Sequence, residues 1–226
     1  MDANVKRIEE LRVETAIRAL EKNHMRAEYL PDRDSVIIRL KHMIPAGSSC
    51  AVGGSRSLFE CGVIDFLRSG SYTFFDRYAP NLDQEGVRKI YLESFGADYY
   101  LASANAVTEH GELYCVDNTG NRVAAMLYGP RNVILVVSTD KIVQDLASAV
   151  VRVKRLVAPA NAVRLGRDTF CSKAGRCMQP SCDPHHIMAL AAGACEKTVC
   201  SDAVVLSNQR IDGRITVLFV GQSLGY

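Results

Sequence analysis

The sequence lacks any uncharged apolar run of roughly 18 residues, the length that a membrane-spanning helix needs. Its opening segment, MDANVKRIEELRVETAIRAL, mixes charged and apolar residues at helical spacing, so the apolar centre of a secretory signal is absent as well. These two absences predict a cytoplasmic protein without a membrane span. In a reducing cytoplasm, eight cysteines are better explained as buried thiols, metal ligands or redox groups than as disulfides.

Charge of one sign is also scarce. The 27 Lys and Arg residues are nearly balanced by 25 Asp and Glu residues, which leaves a net charge of +2, and the basic residues form no tract. Nucleic acid is therefore not an expected partner. The chain has neither a dinucleotide-binding glycine fingerprint nor a P-loop, so we expect no autonomous NAD or ATP chemistry.

Internal repeats and low-complexity segments are absent too, and a chain of 226 residues with 48% hydrophobic residues can bury one sizeable core. We expect one α/β domain over residues 1–226, opened by an amphipathic helix within residues 1–24. The apolar face of that helix is predicted to consist of Val5, Ile8, Leu11, Ile17 and Leu20.

Apolar runs alternate with helical patterns along most of the remaining chain. Buried β-branched strands alternating with helices predict a largely parallel sheet covered on both faces, in which ligands bind at the carboxyl ends of the strands. A hairpin-like region follows the fourth strand, and a cysteine-rich excursion at about 166–202 precedes the last two strands, which a turn containing DG separates. The predicted strands are 27–30, 49–52, 72–75, 99–102, 132–138, 203–208 and 214–221, and the predicted helices are 33–43, 58–68, 83–95 and 141–157.

The loop after the predicted strand that ends at Val52 reads GGSRS. Its glycines leave backbone N–H groups uncovered, and Ser57 with Glu60 three residues later matches a capping box at the start of a helix. Such a loop can bind a phosphate, carboxylate or enolate oxygen. It is equally typical of a tight turn that uses glycine for positive φ and serine as a cap. The candidate ligand-binding residues are Gly53, Gly54, Ser55, Arg56 and Ser57.

A second candidate site lies in the stretch SANAVTEHGELYCVDNTGNRVAAMLYGP, residues 103–130. Small and polar residues follow a predicted strand there, and Glu109 could act as a base, a nucleophile or a ligand anchor. The alternative is that EHGE is a hairpin turn and DNTGN a second turn, with carboxylates that are solvated or cap backbone N–H groups. Because polar turns are abundant, composition by itself favours the second interpretation.

Five segments of the chain resemble the LUD domain family, the lactate-utilization protein group, in the family's order and along almost the whole sequence. They are GGSRSL, the stretch 103–130, VILVVSTDKIV, APANAVRL and GRITVLFVGQSLGY. The resemblance implies a sheet related to the ribose-phosphate isomerase and CoA-transferase folds, with the two loops facing each other at its carboxyl edge. The matching residues are Gly53, Gly54, Ser55 and Ser57 in the first loop, and Asn105, Thr108, Glu109, Asn118, Gly120, Asn121 and Arg122 in the second.

Five of the eight cysteines fall between positions 171 and 200. Thiolates are soft donors, and four that converge can hold zinc or an iron–sulfur cluster, which would also staple a segment without its own core. The spacing lacks the paired C-x-x-C of a zinc ribbon, and the other three cysteines fit the role of small buried hydrophobes. The candidate metal ligands are Cys171, Cys177, Cys182, Cys195 and Cys200.

Some LUD family members resemble this cysteine-rich segment, and Cys171, Cys177 and Cys182 match their spacing approximately. The chain departs from the family pattern afterwards, because Met188 stands where the last cysteine is expected. The fourth ligand therefore stays open between the later cysteines and either member of the histidine pair that follows Cys182.

Three functions are compatible with these residues. The resemblance implies a subunit or accessory protein for oxidation of lactate to pyruvate, which binds a small anionic ligand beside iron–sulfur partner proteins. The second is an enzyme for a phosphosugar or acyl-CoA, with Glu109 as base or nucleophile. The third is a non-catalytic module whose cysteines hold structural zinc.

Overall fold

The computed structural model describes residues 2–178, 195 and 197–226, which contain ten strands and nine α-helices. The strands are β1 (Arg26–Leu30), β2 (Ser49–Val52), β3 (Thr73–Phe75), β4 (Tyr99–Ala102), β5 (Ala106–Thr108), β6 (Leu113–Asp117), β7 (Asn132–Ser138), β8 (Ile142–Val143), β9 (Asp202–Leu206) and β10 (Ile215–Val220). The helices are α1 (Ala3–Lys22), α2 (Asp34–Met43), α3 (Arg56–Glu60), α4 (Val63–Leu67), α5 (Gln84–Glu93), α6 (Asn121–Leu127), α7 (Leu146–Arg152), α8 (Ala158–Arg164) and α9 (Phe170–Ala174).

The main sheet has six strands in the order β1-β10-β7-β4-β2-β3, and every neighbouring pair is parallel. Successive residues of a strand point to opposite faces, and both faces of this sheet are buried. In β7, for example, Leu135 joins the core under α1 and α6, whereas Ile134 and Val136 join the core under α2, α3 and α4. The predicted α/β fold with a largely parallel, helix-covered sheet is confirmed.

A second sheet, in the order β8-β5-β6-β9, accounts for the region that the sequence marked as hairpin-like. Strands β5 and β6 form an antiparallel hairpin, whose Val107 faces the main-sheet core and whose Ala106 faces helices α7 and α8. The two closing strands do not pair with each other. Strand β9 pairs with β6, whereas β10 lies between β1 and β7 in the main sheet.

Two helices differ from the sequence prediction. The predicted helix 58–68 is interrupted at Gly62, whose φ of 68° is left-handed, so α3 ends and α4 begins around it. The helix predicted from residue 141 begins only at Leu146, where the Asp145 side chain accepts a hydrogen bond from the Ser148 N–H at 2.7 Å. The helix then continues through a π-helical turn, Val153–Val157, into α8. Pro159 lies in the first turn of α8, where the N–H group that proline lacks is tolerated.

Helix α1 buries a different stripe from the predicted one. Leu20 is buried as predicted, together with Val13 and Ala16, but the predicted apolar residues before Val13 are exposed. The cause is that only the second half of the helix lies over the sheet. Those exposed residues are Val5, Ile8 and Leu11.

The cysteine-rich excursion is partly packed against the body of the protein. Val199 is buried in the core between the second sheet and α7 and α8, and Cys171 and Cys200 pack against that core. The part of the excursion that the structure describes therefore shares a core with the domain. No helix within the described residues is long and apolar enough to cross a membrane.

Candidate functional site

A cavity of about 300 Å³ lies where the loops that follow strands β2, β3, β4, β7 and β10 meet. In the main sheet these strands are neighbours and run in the same direction, so their carboxyl ends share one edge. The π-helical turn Val153–Val157, helix α8 and the end of β6 form the opposite wall. The site is thus at the position where parallel α/β sheets usually bind ligands.

The cavity is strongly cationic. Among the described residues that line it, six carry a positive side chain and a single one, Asp117, carries a carboxylate. Clustered positive charge in a concave site attracts anions and raises their local concentration. The six cationic lining residues are Arg56, Arg77, Arg122, Lys141, Arg164 and Arg167.

Lys141 is the most buried of the cationic lining residues, with 3% of its surface exposed. It lies three residues after the end of β7, and its Nζ donates hydrogen bonds to Ser57 Oγ at 3.2 Å and Ser103 Oγ at 3.4 Å. Burial, together with the nearby positive charges of Arg152 and Arg122, lowers the pKa of Lys141 to about 8. A substantial fraction of this amine is therefore neutral near pH 8.

Arg122 is fixed as a structural brace. Its guanidinium donates to the Ser103 carbonyl at 2.6 Å, to the Val116 carbonyl at 2.8 Å and to Asn105 Oδ1 at 3.0 Å. These bonds tie the loop after β4 to the end of β6, which holds Ser103 in place beside Lys141. Arg122 thus positions the cavity wall and also contributes positive charge to the cavity.

Gly53 is required for packing and not for positive φ, which neither it nor Gly54 has. A Cβ atom at Gly53 would lie 3.0 Å from Cγ of Arg122 and 3.1 Å from the Tyr100 hydroxyl. The predicted capping box is also wrong. Ser55 is the N-cap of α3 without a side-chain cap bond, and Ser57 faces Lys141 from inside the first turn.

The segment after β10 packs against α3, next to the contact between Ser57 and Lys141. The Gly225 N–H donates to Glu60 Oε2 at 2.8 Å, and Ser57 Oγ donates to the Leu224 carbonyl at 3.4 Å. The phenol oxygen of Tyr226 accepts a hydrogen bond from Arg164 Nε at 2.7 Å. These contacts enclose the inner end of the cavity.

The structure brings together most of the predicted ligand-binding residues. Those that line the cavity are Gly54, Ser55, Arg56, Ser57, Asn105, Asn118, Asn121 and Arg122. Gly53 lies behind it, against Arg122, and Gly120 is the left-handed N-cap residue immediately before α6. The two loops predicted to face each other therefore do meet at the cavity, where the second one contributes Asn105, Asn118, Asn121 and Arg122.

Glu109 and Thr108 do not lie among the described residues of the cavity lining. Glu109 pairs with Arg12 of α1 at 3.7 Å, and the Thr108 hydroxyl donates to the Glu112 carboxylate at 2.7 Å. Both belong to the β5–β6 hairpin turn, which is the alternative interpretation of EHGE. These residues lie away from the cavity because β5 carries the chain from the cavity to a turn next to α1.

Sequence reasoning did not single out Lys141, Ser103, Arg77, Arg164 or Arg167. A signal existed for Lys141, which closely follows the strongly apolar strand VILVVS, where the loops of a parallel sheet hold ligands. The arginines of α8 and its end carry no such signal, because a helical arginine is usually a solvated residue.

Four of the five candidate metal ligands, Cys171, Cys177, Cys195 and Cys200, line a second cavity of about 20 Å³. Burial, with a smaller contribution from the three neighbouring thiols, raises the pKa of Cys200 to about 12. Cys182 lies outside the described residues. Within the described part of the chain, no group of three or more His, Cys, Asp or Glu residues is arranged to hold a metal ion.

Fold and cavity define an α/β protein with a cationic site at the carboxyl edge of a parallel sheet. The model of the LUD domain family matches residues 13–220, and the chain belongs to this family. The family is linked to lactate utilization.

The fold is also similar to that of a solved structure, a DUF162 family protein from Deinococcus radiodurans. The two share 15% identity with a TM-score of 0.51, over 95% of this chain and 98% of the other. A search of the curated proteins finds no match. At this level of identity the structural similarity is evidence for the fold alone.

Proposed function

We propose that this chain acts in lactate utilization by binding a small carboxylate, of the type of lactate or pyruvate, in the cationic cavity. In this role it is a subunit or accessory protein that works beside iron–sulfur partner proteins in the oxidation of lactate to pyruvate. The family membership supports the process, and the charge of the cavity supports the chemical class of the ligand.

Lys141 carries this proposal. Its ammonium group is buried, and its described hydrogen-bond partners are two neutral hydroxyls. A buried charge without a counter-ion is costly, and a bound carboxylate would supply the missing negative charge together with charge-assisted hydrogen bonds. The cavity volume of about 300 Å³ is at the lower end of the range for ligand pockets, which favours a small ligand.

An enzyme for a phosphosugar or an acyl-CoA is the alternative. The same positive charge would attract phosphate, and Arg77, Arg164 and Arg167 extend it away from Lys141 toward α5 and the end of α8. Direct binding measurements with both classes of ligand distinguish these functions.

Calorimetric titration of the purified protein is expected to show binding of L-lactate or pyruvate, with an affinity that falls as salt is added. Arg164→Gln is expected to weaken this binding about tenfold, because it removes one of the six positive charges that line the cavity. Arg155→Gln is the matched control, because Arg155 is exposed on the preceding helical turn and does not line the cavity.

Tight binding of ribose 5-phosphate or acetyl-CoA, with no heat from lactate or pyruvate, would replace the proposed function by the alternative. In cells, growth on lactate is expected to be lost on deletion and restored by the parent chain. Restoration by a variant that no longer binds the carboxylate would show that the cavity is not used in this process.

We also propose that the cysteine-rich segment holds a metal. Four thiols around one small cavity are soft donors, which fit zinc or an iron–sulfur cluster chemically. Among the described residues, no group of three or more of them is arranged to hold a metal ion. An iron–sulfur cluster held by Cys171, Cys177, Cys195 and Cys200 would supply electron transfer, whereas zinc would supply a structural cross-link.

Protein purified without oxygen and without chelators is expected to contain iron with acid-labile sulfide, or else zinc. The double variant Cys171→Ser with Cys200→Ser is expected to lose that metal, because it removes two of the four donors. Cys61→Ala is the matched control, since Cys61 is a buried cysteine of a different core. Absence of iron and zinc from the parent protein would refute metal binding.

A further inference from the structure

Lys141 combines three features that an ammonium serving only as a charge does not need. It is enclosed, its nitrogen lies within hydrogen-bond distance of two hydroxyl groups on different loops, and it is part of the wall of the cationic cavity. Ser57 comes from α3 after β2, and Ser103 from the loop after β4. Burial and neighbouring cations make a lysine amine nucleophilic near neutral pH, and the two hydroxyl groups can relay protons.

We propose that Lys141 is a nucleophile that forms an imine with a small 2-oxo acid bound in the cavity. This inference rests on the proposed function, because it takes the carboxylate ligand to be one that also carries a ketone. Lactate has no carbonyl carbon that an amine can attack, whereas its two-electron oxidation product, pyruvate, is a 2-oxo acid. The reactive ligand would therefore be the oxidised member of the pair.

The charged groups around Lys141 favour its neutral form on balance. Burial has the largest effect on its pKa, and the positive charges of Arg152 and Arg122 act in the same direction. The carboxylates of Glu60 and Asp140 oppose them with smaller effects. Glu60 is itself engaged by Arg56 at 3.5 Å and by the Gly225 N–H at 2.8 Å, which limits its effect on the amine.

The proposed step balances without an oxidant or reductant. The lone pair of neutral Nζ attacks the ketone carbon, and the carbonyl π electrons move to oxygen to give a carbinolamine. Ser57 and Ser103 are placed to pass protons from nitrogen to that oxygen, which leaves as water when the C=N bond forms. The cationic side chains of the cavity hold the carboxylate and orient the ketone toward Nζ.

Reductive trapping tests this inference. The parent protein is incubated with pyruvate and sodium cyanoborohydride, and peptides are analysed by mass spectrometry. We expect a reduced adduct on Lys141 at a rate at least tenfold above that of the exposed Lys41, and a rate that rises as the pH passes 8. Lys141→Arg is the matched variant, because it keeps the positive charge without a nucleophilic amine.

The outcomes separate the inference from the proposed function. Calorimetric binding of pyruvate without an adduct on Lys141 would overturn the imine and leave the proposed function in place. Absence of lactate and pyruvate binding would overturn the proposed function. Equal labelling by acetone, which lacks a carboxylate, or labelling by ribose 5-phosphate alone, would overturn the assignment to 2-oxo acids.

Discussion

Lys141→Met is expected to weaken carboxylate binding about a hundredfold and, at pH 7, to make the protein more stable. The loss of binding follows from removing a buried charge that would contact the ligand, an effect of about 3 kcal/mol or roughly a hundredfold in affinity. The gain in stability follows because the cavity no longer holds a desolvated ammonium group.

The size of the stability change can be derived from the pKa. Lowering the pKa of Lys141 from 10.5 to about 8 costs the folded state about 3 kcal/mol when the group is charged in both states. Methionine removes that cost but also removes hydrogen bonds to two serines, worth about 1 kcal/mol each. The net gain at pH 7 is therefore about 1 kcal/mol.

The pH dependence has a definite sign. Between pH 8 and 10.5 the unfolded chain still holds the Lys141 proton whereas the folded chain has released it, so the parent protein gains stability as pH rises. The Met variant lacks this gain. Between pH 7 and pH 10, the free energy of unfolding of the parent is thus expected to rise by about 2 kcal/mol relative to that of the variant.

Urea unfolding of both proteins at pH 7 and pH 10 provides the measurement, and other titrating groups cancel in the difference. Lys41→Met is the control, because Lys41 is exposed and lies outside the cavity. A Lys141→Met variant that is less stable than the parent by the same amount at both pH values would show that the amine is not perturbed in the folded protein.

Gly111→Ala is expected to destabilise the protein strongly. Gly111 has a φ of +80°, and a Cβ atom there would lie 2.6 Å from the backbone carbonyl carbon of Ala19 in α1. No side-chain rotation relieves a clash with backbone, so α1 or the β5–β6 hairpin must move. Strained φ and overpacking together predict a loss of roughly 3 kcal/mol, or about 6–12 °C in Tm.

Gly47→Ala separates the two causes. Gly47 has a φ of +84°, and a Cβ atom there would meet nothing within 4 Å, so only the strain of the left-handed conformation applies. We expect a loss of about 1 kcal/mol. Thermal unfolding of both variants makes the comparison, and equal losses would mean that α1 is not packed against this turn as described.

Several strands could be predicted from the sequence to the residue. The bounds predicted for β2, β4 and β7 are those observed, because each is a short apolar run between polar or glycine-containing turns. The second sheet could not be predicted in this way. Its strand β8 has two residues, and β6 finds its partner β9 about 90 positions later, so the pairing depends on tertiary contacts.

The candidate site was predictable only in part. GGSRS could be identified because glycines and serines after a buried strand are a local pattern, and its serine does contact Lys141. The role of Arg122 as a brace depends on carbonyl groups of Ser103 and Val116, which a sequence pattern does not bring together. In the second loop the sequence indicated Asn105, Asn118, Asn121 and Arg122, which line the cavity, but it did not separate them from Thr108 and Glu109 of the hairpin.

The amino-acid sequence by itself determined the alternation of strands and helices, and therefore the edge of the sheet at which a ligand would bind. The periodicity of apolar residues is a local property, and it decides which faces must be buried. Only the tertiary structure decided that Lys141 is enclosed between Ser57 and Ser103 and that Glu109 lies with α1. The physical reason is that burial and charge pairing depend on which segments meet in space, and these set the chemistry of a side chain.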